Sequence, residues 1–189
     1  LRYPFLKNKK NNIRILNIGR FTDQKDHITL LKAVNLIKNK IKFRLVIIGQ
    51  GANKNLIKNF FVENNLKNQV KIVNFQKNPY KYLKASDIFI LTSKYEGLPN
   101  VLLEAAALKK FIISTNCPTG PREILMNGKG GDLVPVGNHI KLYKKIVYFY
   151  KNKKISKKKI NTLYNSLYRF DYNKNLRKYS KIIMHFLNN

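Results

Sequence analysis

Two glutamates, Glu96 and Glu104, stand eight residues apart in a chain that holds only nine acidic residues. Between them run Gly97, Leu98, Pro99, Asn100 and Val101, and then an apolar stretch with helical character. A helix starting near Pro99 would aim its free N–H groups and its positive dipole end at whatever lies beside Gly97, where a sugar or a phosphate can come close to the backbone. Glu104, about one and a half turns into that helix, is placed to accept hydrogen bonds from a ribose. The same spacing fits a plainer arrangement, in which Glu96 caps the helix and Glu104 is simply exposed, because carboxylates in early helix turns are favoured by the dipole.

A second candidate loop reads Gly19-Arg20-Phe21-Thr22-Asp23-Gln24-Lys25. Glycine lets the chain turn sharply, and Arg20 and Lys25 offer a guanidinium fork and a point charge to an anion, with a helix amino end behind them. Two solvated charges would read the same way in so basic a chain. The stretch Thr115 to Ile124, with Pro118, Gly120 and Pro121, specifies a rigid turn before a short helix, which suits a loop held near a ligand and equally suits a plain connection. Gly49-Gln50-Gly51 is too short for a dinucleotide fingerprint, and no NAD site is read from it.

These loops must be positioned by something, and the apolar runs say what. Strand-length runs occur at Ile13–Ile18, Phe43–Ile48, Val70–Val73, Ile88–Leu91 and Phe111–Ser114, with a weaker one at Asp132–Val136. Several are apolar at consecutive positions, as strands covered on both faces require. Between them lie helical spacings such as Ile28, Leu31, Val34 and Ile37, with Asp26 placed to cap a helix over His27–Lys38 and Pro99 at the first turn of one over Val101–Leu108. Alternation of this kind predicts an α/β fold: a doubly wound, mostly parallel, Rossmann-like sheet of about six strands, helices on both faces, and a ligand crevice beyond the carboxyl ends of the strands. From Asn138 onward the pattern is helical only, with apolar positions in Ile140–Phe149, Ile160–Tyr168 and Leu176–Leu187, and this tail carries fourteen Lys or Arg against Asp171 alone.

The 189 residues fit one domain, with a core over about 13–137 and a helical tail over 138–189. The chain starts on Leu1 and enters a strand-like run soon after, which reads as a piece of a longer protein. No apolar run approaches the length of a membrane span and no leader pattern opens the chain, so a soluble piece is expected. The lone Cys117 fits a reducing cytoplasm. A net charge of +29 raises nucleic acid and anionic membrane as partners, but 31 Lys and 25 Asn scattered along the whole chain also fit drift in a genome rich in A and T. A nucleic-acid module would further use the 22 Phe and Tyr as stacking surfaces, yet these fall largely at apolar core positions in the sequence. A fold kept only as an interaction domain is a third reading, at odds with the intact set of candidate residues.

With these residues in place, the sequence resembles the carboxyl-terminal domain of retaining, nucleotide-sugar-dependent glycosyltransferases of the GT-B fold, in the large group called family four. Glu96-Gly97-Leu98-Pro99-Asn100-Val101-Leu102-Leu103-Glu104-Ala105 resembles that family's E-x7-E motif, and Gly19-Arg20 with Lys25 resembles its phosphate-binding loop. The likeness runs from about Ile13 to Gly137. It implies that Arg20 and Lys25 bind the donor diphosphate and stabilise the leaving group, as electrostatic catalysis requires. It further implies that Glu96 meets hydroxyls of the donor sugar, that the N–H groups of Gly97 and Leu98 lie near sugar and phosphates, that Pro99, Asn100 and Val101 complete the donor site, and that Glu104 holds the ribose. By location alone, Phe75-Gln76-Lys77 corresponds to the stretch that meets the base.

Cys117-Pro118-Thr119-Gly120-Pro121-Arg122-Glu123 is similar to a bacterial subgroup that moves N-acetylgalactosamine, galactose or N-acetylglucosamine onto lipid-linked glycans, lipopolysaccharide or capsule. The resemblance thus implies a UDP-linked sugar as co-substrate, no cofactor and no catalytic metal; His27, His139 and His185 are far apart in the sequence. It also implies a separate amino-terminal domain, absent from this chain, that binds the glycan or lipid-linked acceptor and supplies half of the cleft. Peripheral contact with an anionic membrane at the cytoplasmic face is compatible with the basic tail, and nucleic acid is not expected as a partner.

Overall fold

The computed structural model describes residues 12–187. Its six strands are β1 (Ile13–Ile18), β2 (Phe43–Ile48), β3 (Val70–Val73), β4 (Ile88–Leu91), β5 (Phe111–Thr115) and β6 (Asp132–Val134). They form one wholly parallel sheet in the order β3-β2-β1-β4-β5-β6, the order of the Rossmann sheet. Helices α1 (His27–Ile37), α2 (Lys54–Glu63), α3 (Tyr80–Ala85), α4 (Asn100–Ala107) and α5 (Pro121–Ile124) lie in the crossovers, and α6 (His139–Lys151), α7 (Lys153–Asn165) and α8 (Tyr172–Leu187) form the tail.

Alternation along the strands explains the two-sided burial. Ile13 and Ile15 of β1, Leu45 and Ile47 of β2 and Ile113 of β5 pack with Leu30, Val34 and Ile37 of α1 and with Leu142, Ile146 and Phe149 of α6. The intervening residues Leu16, Val46, Phe89 and Ile112 point the other way, onto Leu83 of α3, Leu102 and Ala105 of α4 and Leu163 of α7. Because both faces are covered, the strands read as continuous apolar runs.

Chain order reverses between β1 and β4, and there the pairing is short: Ile15 lies opposite Ile88 and Leu16 opposite Phe89. Above this, the buried Asn17 side chain carries the link on, its Nδ2 donating to the Ile90 carbonyl at 2.8 Å. The strands then part, and the loops that follow them frame the switch-point crevice.

Some boundaries differ from the sequence reading. The last strand ends at Val134, two residues short of the run read from the sequence. Pro99 is the residue before α4, with extended backbone, rather than part of its first turn, and the helix begins at Asn100 and ends at Ala107. The helix expected over Ile160–Tyr168 starts at Lys153, stops at Asn165 and is followed by a separate 3-10 turn, Leu167–Phe170. Many aromatic residues are buried, but not all, and Phe75 and Phe186 are exposed while Tyr82 is buried. Phe21, Phe43, Phe89 and Phe111 are fully buried, whereas Tyr80, Tyr95, Tyr168, Tyr172 and Tyr179 are exposed, as a ring with a hydroxyl tolerates. Among the described residues, no helix is long and apolar enough to cross a membrane.

Candidate functional site

The loop after β1 and the loop after β4 are fastened to each other across the switch point. Lys94 N–H donates to the Gln24 carbonyl at 2.7 Å, Gln24 Nε2 donates to the Tyr95 carbonyl at 2.9 Å, and Thr92 Oγ1 donates to the Lys25 carbonyl at 3.0 Å. This brings Lys25 Nζ to 2.5 Å from Glu96 Oε1, with side-chain exposures of 15% and 7%. At that burial the pair is shielded from the screening that makes surface ion pairs nearly neutral. Ser93, itself buried, donates from Oγ to the same Glu96 oxygen at 2.5 Å.

The loop after β5 holds Glu96 from behind. Thr115 Oγ1 donates to the Ser93 carbonyl at 2.6 Å, and Thr119 Oγ1 donates to the Glu96 carbonyl. Gly120 has φ +78, and a Cβ there would collide with the Gly97 carbonyl and Pro99, so glycine is what allows the two loops to approach. Gly49 acts likewise beneath the β1 loop, where a Cβ would strike the Gly19 carbonyl. In the Gly49-Gln50-Gly51 stretch, Gly49 and Gln50 also line the cavity beside this loop. Gly97 differs: nothing lies within 4 Å of a Cβ built on it, and the N–H groups of Gly97 and Leu98 have no partner among the described residues. An open glycine with free donors at its side suits a ligand that approaches the backbone.

Beside this ledge opens a cavity of about 460 Å³ in which Gly19, Arg20, Phe75, Gln76, Lys77, Val101 and Glu104 meet, although they come from two different loops and a helix. Glu104 is half-buried, and burial raises its carboxyl pKa above the usual range. Arg20 is exposed and makes no ion pair among the described residues. The Phe75 ring is 62% exposed, and Gln76 Nε2 turns back onto the Asn74 and Phe75 carbonyls.

Three readings of the sequence meet the structure here. Arg20 and Lys25 meet different groups: Arg20 faces the cavity with Glu104, whereas Lys25, its stem packed along Gly19, is paired with Glu96 at the cavity's edge. The amino end of α1 is also not free for an anion, since Asp26 accepts from Thr29 N–H at 3.2 Å and from Thr29 Oγ1 at 2.6 Å. Glu96 does not cap α4, because its carboxylate is committed to Lys25 and Ser93. Leu98, Pro99 and Asn100 join Glu96 and Gly97 on the ledge without lining the cavity. Sequence reasoning missed Asn17, Thr92, Ser93, Thr115 and Thr119; the signal was a pair of hydroxyl residues ending each of two buried strands, Thr92-Ser93 and Ser114-Thr115.

One neighbour is tuned by Lys25. His27, packed edge-on against Phe21 at 5.3 Å, is buried with neither ring nitrogen hydrogen-bonded, and burial, then the Lys25 charge, lowers its pKa to about 4. It stays neutral at physiological pH. Among the described residues, no three His, Cys, Asp or Glu side chains gather to hold a metal ion.

Known proteins resemble this chain in sequence and in fold. Residues 4–165 match the family described as glycosyl transferases group 1. An uncharacterized glycosyltransferase of Methanocaldococcus jannaschii is 42% identical over 117 residues, covering 61% of this chain and 29% of that protein. The N-acetylgalactosamine-N,N'-diacetylbacillosaminyl-diphospho-undecaprenol 4-alpha-N-acetylgalactosaminyltransferase of Campylobacter jejuni is 32% identical over 143 residues, 76% of this chain and 39% of that protein. A crystal structure of a glycosyltransferase from Rickettsia africae superimposes with a TM-score of 0.85 at 26% identity, over 96% of this chain and 49% of that one. Anabaena HepE, solved in complex with UDP, shares the fold with a TM-score of 0.84 at 18% identity, over 93% of this chain and 49% of that one. The chain thus spans between about a third and half of the length of these proteins. Since the family match runs through both loops of the switch point and both glutamates, the chain belongs to the glycosyl transferases group 1 family.

Proposed function

We propose that this chain is the donor-binding domain of a retaining glycosyltransferase that transfers a hexose or N-acetylhexosamine from a UDP-linked sugar to a glycan or lipid-linked acceptor. The observation that carries the reading is the switch-point site itself: a buried Lys25–Glu96 pair beside free backbone donors, opening into a cavity that holds Arg20 and Glu104. A nucleoside diphosphate fits this distribution of charge. Its ribose meets the Glu104 carboxylate, its base lies along Phe75, Gln76 and Lys77, and its phosphates face Arg20 and the N–H groups of Gly97 and Leu98.

Glu96 serves as the anion for Lys25. An arriving diphosphate offers Lys25 a stronger anion, and the freed carboxylate then turns to hydroxyls of the donor sugar, while Pro99 and Asn100 hold the ledge beneath it. As the glycosidic bond breaks, negative charge gathers on the leaving diphosphate, where Lys25 and Arg20 stabilise it; this interaction strengthens in the transition state and so accelerates the step. No cofactor or metal enters this scheme.

The acceptor belongs to a further, amino-terminal domain outside this chain. In support, α8 leaves Leu176, Ile182, Ile183 and Phe186 exposed, an apolar face suited to cover by the rest of the protein. The basic tail supports work at the cytoplasmic face of a membrane on acceptors held there. Calorimetric titration with UDP, GDP and a short single-stranded RNA, each at low and moderate salt, tests the reading. Saturable UDP binding that exceeds GDP and survives salt is expected. Binding of RNA alone, collapsing as salt rises, would leave charge as the operative feature and overturn the proposal.

A further inference from the structure

A second cationic cavity, of about 340 Å³, lies at the opposite end of the sheet, by the amino ends of β1, β4 and β5. Arg14, Lys109, Lys110, Lys153 and Lys157 line it, and Asp87 is its one carboxylate. Asp87 is already engaged by Arg14, through Nε at 3.0 Å and through the second guanidinium nitrogen. Asp87 also acts on Lys110 and Lys153, so four lysines and Arg14 share this single carboxylate.

Lys110 is half-buried, its Nζ fixed on the Lys84 and Ser86 carbonyls at 2.8 and 3.0 Å. Burial, and next the Arg14 charge, lower its pKa, while the nearby Asp87 carboxylate works in the other direction. Lys153 Nζ sits over the Phe149 ring at 3.6 Å and Lys109 Nζ over the Tyr164 ring at 4.2 Å; both are held by aromatic faces. Lys109 follows α4 with φ +53, a left-handed conformation at a position where glycine is usual, and a lysine is kept there at a steric cost. The first turn of α7, which also borders the pocket, has no acidic residue and no side-chain cap from Asn152.

We propose that this cavity binds a phosphate-type anion, independently of the donor crevice at the other end of the strands. Compact polyanions match clustered ammonium groups in a partly desolvated pocket, and a phosphate-sized group fits the volume. Free phosphate and the phosphate of a lipid headgroup share this chemistry.

The test is a titration with inorganic phosphate at constant ionic strength, followed through the backbone amide signals of Asp87, Lys110 and Lys153, with chloride as the control. Saturable shifts with phosphate only are expected, with affinity reduced about tenfold in the double variant Lys153→Gln/Lys157→Gln, whose exposed side chains leave the core untouched. A Lys109→Gly variant, which relaxes the backbone while removing one charge, should weaken binding without loss of stability. Co-sedimentation with vesicles of phosphatidylglycerol and phosphatidylcholine, against phosphatidylcholine alone, separates the sources. Vesicle binding that needs Lys153 and Lys157 assigns a headgroup, and phosphate binding without it assigns a free anion. Amides that follow phosphate and chloride alike, or phosphate affinity unchanged in both variants, would overturn the proposal.

Discussion

The β1–β4 pair carries a cation–carboxylate contact at each end, and the two are built differently. At the amino ends, Arg14 grips Asp87 with its guanidinium fork, the Arg14 N–H donates to Asp87 Oδ2 at 2.9 Å, and the Asp87 N–H returns a bond to the Arg14 carbonyl at 2.8 Å. Side chains and backbones are closed on each other. At the carboxyl ends, one Glu96 oxygen receives both Lys25 and Ser93, and the free N–H groups of Gly97 and Leu98 stand alongside. A forked, reciprocal contact resists exchange, whereas a point charge on one oxygen can be handed to another anion. The amino-end pair is a fixture of the fold, and the carboxyl-end pair is a part of the site.

That contrast breaks most sharply at Lys25. In the full-length protein, Lys25→Ala should lower turnover by roughly 10²–10³-fold, the loss expected for one electrostatic stabiliser of a developing anion. Steady-state kinetics near the parental rate would remove Lys25 from the leaving-group role.

His27 sharpens the comparison through pH. Its folded pKa of about 4 lies below the ordinary 6.5, so the folded protein keeps the ring neutral while the unfolded chain protonates it. Stability is therefore full above about pH 6.5 and falls as pH drops toward 4, by about 3 kcal/mol in total. Urea denaturation at pH 7 and pH 4.5 should show a clearly smaller acid loss in His27→Phe than in the parent; equal losses would place the acid sensitivity elsewhere.

Glu104 bears on the cavity beside the exchangeable pair. Replacing it with alanine should weaken UDP binding about tenfold or more while leaving the melting temperature near that of the parent, since hydrogen bonds to a charged acceptor contribute about 1.5–3 kcal/mol. Because burial raises its pKa, the carboxylate begins to protonate at a higher pH than an ordinary glutamate and loses acceptors as it does so. UDP affinity should accordingly fall on mild acidification, and Glu104→Gln should flatten that profile. A profile unaltered by the substitution would exclude the ribose role.

The smallest effect is expected at the fixture. Asp87→Asn should cost about 1–2 kcal/mol of stability, given that the pair is partly solvated, and leave UDP affinity unchanged. A large loss of UDP binding in this well-folded variant would erase the distinction between the two ends.

Much of this architecture was legible in the residues. The consecutive apolar runs at Ile13–Ile18 and Phe43–Ile48 announced strands covered on both faces, and their alternation with helices announced the switch point at which Arg20, Glu96 and Glu104 would be found. The choice of partner was not legible. Lys25 lies 71 residues from Glu96, and only the fastening of the two loops by Thr92, Lys94 and Gln24 decides that it pairs with the glutamate. The start of α7 was hidden for a different reason. Lys153 to Lys159 shows no apolar stripe, and that turn is anchored by the buried Ser156 and by Lys159 reaching Asp132, contacts that hydropathy does not register.

The central claim is that Glu96 occupies Lys25 in the absence of donor and yields it to a diphosphate. Calorimetric titration of UDP into the parent and into Glu96→Gln addresses it directly, because UDP carries the diphosphate without the sugar that Glu96 would otherwise contact. With the competing charge removed, UDP should bind Glu96→Gln several-fold more tightly, on the order of 1 kcal/mol for release of one partly buried ion pair. Weaker UDP binding in Glu96→Gln would contradict the account and make the pair a support of the site rather than a contact exchanged within it.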